Sequence, residues 1–123
     1  MIKKLIFINI LLSTTLNAGI YYDKCLKKTR NNIDASLCLD TKLEYVKKSL
    51  DKNLNILRQA NQGISSLSIK DIDKANYMFE DYVKKQCEFH GKVWMSRGND
   101  FTDCQIFMYS NRIKEIKYLI KGL

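Results

Sequence analysis

Apolar side chains recur at spacings of three and four along three long stretches of this chain, and no proline interrupts them. That period belongs to a helix burying one face, and the absence of proline allows long helices. Leu43, Val46, Leu50, Leu54 and Leu57 mark the first stretch, opened by a capping-box pattern Thr41-x-x-Glu44 and stopped at Gly63. Ser68-x-x-Asp71 opens the second, which continues through Ile72, Ala75, Phe79, Tyr82 or Val83, Gln86 or Cys87, and Phe89. The third begins near Asn99 or Asp100 and runs through Phe101, Cys104, Phe107, Met108, Ile113, Ile116, Leu119 and Ile120. A shorter helix over Tyr21 to Arg30 precedes Cys38. No stretch alternates with period two, and no Asn-Gly or Asp-Gly hairpin turn occurs. The expected fold is all-α: a small antiparallel helical domain of three long helices and one short helix.

The first eighteen residues fall outside that pattern. Met1-Ile2-Lys3-Lys4 is a short positive start, Leu5 to Leu12 is apolar apart from Asn9, and a small and polar stretch leads to Ala18. This is the layout of a secretory signal peptide, with the cut expected after Ala18 or one residue later. The apolar run is far short of the ~20 residues a spanning helix needs. Tyr22-Asp23-Lys24 ahead of Cys25 lacks the small residues of a lipid-attachment site. The expected organisation is therefore a leader over 1–18 and one domain over 19–123, periplasmic or secreted, with no transmembrane span in the mature chain. Loss of Lys3 and Lys4 leaves 19 basic residues against 13 acidic ones, a net charge of +6.

Export decides how Cys25, Cys38, Cys87 and Cys104 are read. An even number of cysteines in an oxidising compartment points to two disulfides, which a domain of this size uses to supplement a modest core. A zinc site would need close pairs, whereas the gaps here are twelve, forty-eight and sixteen residues. Four cysteines allow three pairings, and sequence does not select among them. The local pairing, Cys25 with Cys38 and Cys87 with Cys104, is preferred, each bridge stabilising by ~3 kcal/mol in the chain-entropy model.

Little in the chain points to catalysis. His90 is the one histidine, and beside Gly91 it suits a helix C-terminus better than proton transfer. The carboxylates Asp71/Asp73, Glu80/Asp81 and Asp100/Asp103 occur partly at helix starts, where negative charge is stabilising anyway. No glycine-rich phosphate loop or nucleophile elbow is present. No catalytic residue, metal or cofactor is expected. Lysine pairs at 27–28, 47–48 and 84–85 would suit an anionic partner, and export removes nucleic acid from reach. Trp94 and Arg97 sit in the glycine-bounded connection 91–98, where such residues act as interface anchors unless Trp94 packs inward over the ends of the last two helices. A Cys87–Cys104 bridge would clamp the base of that loop.

These landmarks together resemble the secreted LprI-type lysozyme inhibitor N-terminal domain family. That family has two early cysteines and then an Asp-x-x-Leu-Asn signature on a helix; this chain has Cys25, Cys38 and Asp51-Lys52-Asn53-Leu54-Asn55. The family's next helix carries a Gln-x-x-Trp segment ending in Arg-Asp-x-x-Cys, matched by Asn76-Tyr77-Met78-Phe79 and Val83-Lys84-Lys85-Gln86-Cys87. A glycine-containing loop, a fourth cysteine, an arginine eight residues on and an aliphatic four beyond follow, as in Cys104, Arg112 and Ile116. The resemblance spans nearly the whole mature chain. Phe79 stands where the family has tryptophan, Val83-Lys84 replaces Arg-Asp, and Arg58 replaces a tyrosine.

What the resemblance implies is a non-enzymatic exported helical domain, in some members a lysozyme inhibitor. Lysozyme or another envelope protein is thus the expected partner. Animal lysozymes are usually basic, so the contact would need local acidity, for which Glu80, Asp81, Glu88, Asp100 and Asp103 are the candidates. The alternative partner is an anionic lipid or glycan surface met by the lysines.

Overall fold

The computed structural model describes residues 19–60, 68–93 and 98–123. The expected leader over 1–18, Trp94 and Arg97 lie outside the described residues. The architecture is all-α, with helices α1 (Ile20–Lys28), α2 (Asn32–Ala60), α3 (Ile69–Val93) and α4 (Gly98–Lys121). One short and three long helices match the pattern of apolar spacing. Both disulfides take the local pairing: Cys25–Cys38 joins α1 to α2, and Cys87–Cys104 joins α3 to α4.

Two boundaries differ from expectation. α2 begins nine residues before Thr41, at Asn32. Asn31 caps it: its Oδ1 accepts from the Asp34 N–H at 2.8 Å, while its side-chain amide donates to the Asp34 carboxylate. Thr41 is a mid-helix residue whose hydroxyl donates to the Leu37 carbonyl, and Glu44 pairs forward with Lys48. At the other boundary, α3 runs past Gly91 to Val93. Its start is where the pattern put it. The Ser68 hydroxyl accepts from the Asp71 N–H, and the Asp71 carboxylate accepts from the Ser68 N–H.

Helix directions follow from which residues meet. Ser36 donates to Asn99 at 2.8 Å, and Lys47 lies over the Tyr109 ring, so α2 and α4 run the same way. Phe79 against Tyr109 and the Cys87–Cys104 bridge set α3 antiparallel to α4. α4 is the central element; it packs on α2, α3 and the short α1, whereas α2 and α3 scarcely touch. Leu39, Leu50 and Leu54 of α2, Val83 and Cys87 of α3, and Ile106 and Ile116 of α4 are the most deeply buried large side chains of one shared core. Each such aliphatic contributes about 1.5–3 kcal/mol by leaving water. Among the described residues, no helix is long and apolar enough to cross a membrane.

Candidate binding surfaces

The motif residues singled out by the family resemblance separate into three groups in space. Leu54 is core. Asn55 accepts from the Arg58 Nη1 at 2.6 Å, and Arg58 in turn donates through Nε and Nη2 to the Asp73 carboxylate at 3.0 and 2.7 Å. Asn55 therefore orients the ion pair that ties the end of α2 to the start of α3. Asp51, Phe79 and Arg112 form the third group, gathered around Tyr109.

Phe79 and Tyr109 meet edge to face with centroids 5.5 Å apart, and the Arg112 guanidinium lies 5.3 Å from the Phe79 centroid. Glu115 accepts from Arg112 at 2.9 Å. Lys47 covers the other aromatic, 5.7 Å from the Tyr109 centroid. Burial pushes the Tyr109 phenol up to about 12, with the negative charges of Glu80 and Asp51 adding to it. Two buried polar atoms on these same helices, Asn76 Oδ1 and Arg112 Nε, have no hydrogen-bond partner among the described residues. The cluster cross-links the three long helices through stacked rings and cations.

The acidic candidates do not assemble into one patch. Asp103 is buried at 3% exposure, and its carboxylate accepts from the Tyr22 N–H at 2.6 Å. It is thus a cap for α1 and is withdrawn from any partner. Asp81 is held by Lys85 at 2.9 Å. Glu80 projects toward the Tyr109 side of α3, whereas Asp81 and Glu88, seven residues apart, share another face. Glu88 and Asp100 are exposed. The spacing of these acids along the chain hid their divergence, because helix phase separates neighbours such as Glu80 and Asp81 by about 100°.

Two other surfaces stand out. On α3, Met78, Tyr82, Phe89 and Val93 are each more than half exposed, and their spacings of four, seven and four place them on one stripe. The stripe stays open because α3 packs mainly on α4. The second surface joins α1 and α2. Lys42 lies 4.7 Å and Lys24 5.8 Å from the centroid of the same Tyr21 ring. The Lys42 ammonium is held below its ordinary range by partial burial first, then by the positive charges of Lys24 and Lys28. Three cations therefore share one small area.

Of the α3 stripe, the sequence series contains Phe89 and offers Tyr82 or Val83; Val83 alone of these three is buried, and Met78 and Val93 lie outside the series. Of the Lys24–Lys28–Lys42 cluster the sequence singles out only Lys28, in the pair 27–28, because Lys42 is brought to α1 by the Cys25–Cys38 hairpin. His90 sits half-buried in the last turn of α3. Among the described residues, no group of histidine, cysteine, aspartate and glutamate side chains is arranged to hold a metal. No family model, curated protein or solved structure matches the chain.

Proposed function

We propose that this chain is an exported, non-catalytic binding domain of the LprI-type lysozyme inhibitor kind, and that it grips a lysozyme-class protein with the outer stripe of α3. The observation that carries the reading is the row Met78, Tyr82, Phe89 and Val93, more than half exposed on a helix pinned by a disulfide. Large apolar and aromatic side chains on a preordered element are the usual source of binding energy at interfaces. The local cysteine pairing and the stacking of Arg112 on Phe79 support the family likeness, since both occur at positions its pattern picks out. Two basic proteins lack long-range attraction, so an apolar grip predicts binding that changes little with salt.

The test is inhibition of lysozymes of several types by the oxidised protein, at low and physiological salt, with the double variant Tyr82→Ala/Phe89→Ala beside it. Inhibition that survives salt and falls at least about tenfold in the variant is the expected result. No inhibition of any type, or equal inhibition by the variant, removes this reading.

The Lys24, Lys28 and Lys42 cluster favours a second reading, an envelope domain bound to an anionic lipid or glycan surface. Such binding would fall steeply with salt. It would also be lost in Lys24→Glu/Lys28→Glu while Tyr82→Ala/Phe89→Ala left it intact. Sedimentation with anionic vesicles, and retention on an immobilised polyanion, separate lipid from glycan.

A further inference from the structure

Among the described residues, Asp103 is the one charged side chain that is buried. It lies against the first turn of α1, a helix 81 residues away in sequence. Besides the Tyr22 N–H, the backbone amides of Tyr21 and Gly19 favour its ionised form. Gly19, in the left-handed region at φ 87, precedes α1 and supplies no side-chain cap of its own. Asp103 therefore does from another helix what a local N-cap residue does.

Among the described residues, no cation forms an ion pair with this carboxylate. The ion pairs among the described residues are Lys48–Glu44, Arg58–Asp73, Lys85–Asp81 and Arg112–Glu115. Lys42 of α2 attracts Asp103 from a longer range while Lys24 and Lys28 of α1 surround that lysine, and Asp100 on α4 opposes ionisation of Asp103. Burial holds the Asp103 carboxyl above the usual carboxylate range despite the backbone amides that favour its ionised form. A buried carboxylate served only by neutral donors is costly unless a positive charge joins it.

We propose that Asp103 is the receptor for the amino terminus that leader removal creates at Gly19, so that the mature chain closes a buried ion pair over the start of α1. The inference rests on the export reading. Hydrolysis of the Ala18–Gly19 bond by a leader peptidase consumes one water, leaves a carboxylate on Ala18 and an ammonium on Gly19, and changes no oxidation state. The nitrogen that becomes charged belongs to the residue that precedes α1, three residues before the Tyr22 N–H that donates to Asp103. A positive charge at a helix N-terminus opposes the macrodipole, and the Asp103 carboxylate offsets it there. A cut one residue later would remove that nitrogen and put the charge on Ile20.

The experiment expresses the full chain in a bacterial host, isolates the exported product and reads its first residue by mass. The α-amine of the folded product is then acylated over a range of pH, alongside exported Asp103→Asn. The expected product begins at Gly19. Its amine should label at least tenfold more slowly at pH 7 than that of Asp103→Asn. Its reactivity should rise with a midpoint a unit or more above the ordinary α-amino value of about 8. The second readout needs only the unaltered chain, so it holds if Asp103→Asn fails to fold. A product starting at Ile20, or an amine titrating at its ordinary value, overturns the ion pair and leaves export standing. A product that keeps residues 1–18 overturns the export reading and the ion pair with it.

Discussion

Tyr109 brings the three long helices to one side chain, and its phenol gives that junction a pH signature. The neutral form is favoured in the fold because burial raises its titration to about 12, with Glu80 and Asp51 contributing. A group raised in this way gives its full stabilisation below the unfolded value of about 10 and loses it as pH climbs through 12. Chemical denaturation between pH 9 and 12 should therefore show stability falling across that window. The part of the fall due to Tyr109 should be missing in Tyr109→Phe, and the phenolate absorbance appearing near 12 should vanish with it. Unchanged alkaline behaviour in the variant would mean that the hydroxyl is not the buried group. Beside it, Phe79 tests the family likeness at a single position. Phe79 is only half-buried and faces the Arg112 guanidinium, and tryptophan is the better partner for a cation. Phe79→Trp should melt within about 1 kcal/mol of the parent or above it, because the stacked cation gains what the larger ring costs. A loss of several kcal/mol would argue that this position is not the family's tryptophan site.

Along single helices, competition between local signals decides where an element begins. Asn31 with Asp34 and Thr41 with Glu44 are both capping patterns, yet only the first caps α2. Ala35 and Leu39 explain the choice: both are fully buried and extend the Val46–Leu50–Leu54 stripe backward in phase. Asn31→Ala should then cost about 1 kcal/mol, while Thr41→Ala should change stability little, since its hydroxyl only bonds back to the Leu37 carbonyl. Urea melts of the two variants check this directly. The same logic accounts for what the residues revealed in advance. Ser68 and Asp71 were legible because local cap and tertiary burial agree: the cap closes on itself and Ile72, just inside it, is buried. α4 was legible as a helix, and Ile113 and Ile116 of its series are buried, but its register was not legible throughout. Phe107 fits one series of threes and fours and is nearly half exposed, whereas Ile106 and Tyr109 fit the other and are buried. Periodicity fixes that a stripe exists, and only the neighbouring helices choose between two that overlap. Asp103 leaves the acidic set for a related reason, since it became a cap only when α1 folded against α4.

In the whole molecule, α4 serves as the axis, and of the two long helices packed on it α3 is the less secured. α3 sends Ile72, Val83 and Cys87 into the core, adds Phe79, and meets α2 chiefly through Arg58 and Asp73. That ion pair is partly exposed, so Arg58→Ala should cost about 1 kcal/mol or less. The Cys87–Cys104 bridge closes a loop of 17 residues and is expected to matter more, by about 3 kcal/mol in the chain-entropy model. Its removal has a directional consequence. α2 and α4 keep Leu39, Leu50, Leu54, Ile106 and Ile116 between them, and α1 keeps Cys25–Cys38. Cys87→Ala/Cys104→Ala should therefore open α3 first, with its amides exchanging faster while those in the middle of α2 and α4 stay protected. The stripe proposed to bind lies on the helix that loosens, so on that proposal partner affinity should fall in the same variant through lost preorganisation although none of the stripe residues has changed. Hydrogen exchange resolved by helix decides the point. Uniform loss of protection across α2, α3 and α4 would show one cooperative unit, and the disulfide would then act on the fold as a whole rather than on the presentation of α3.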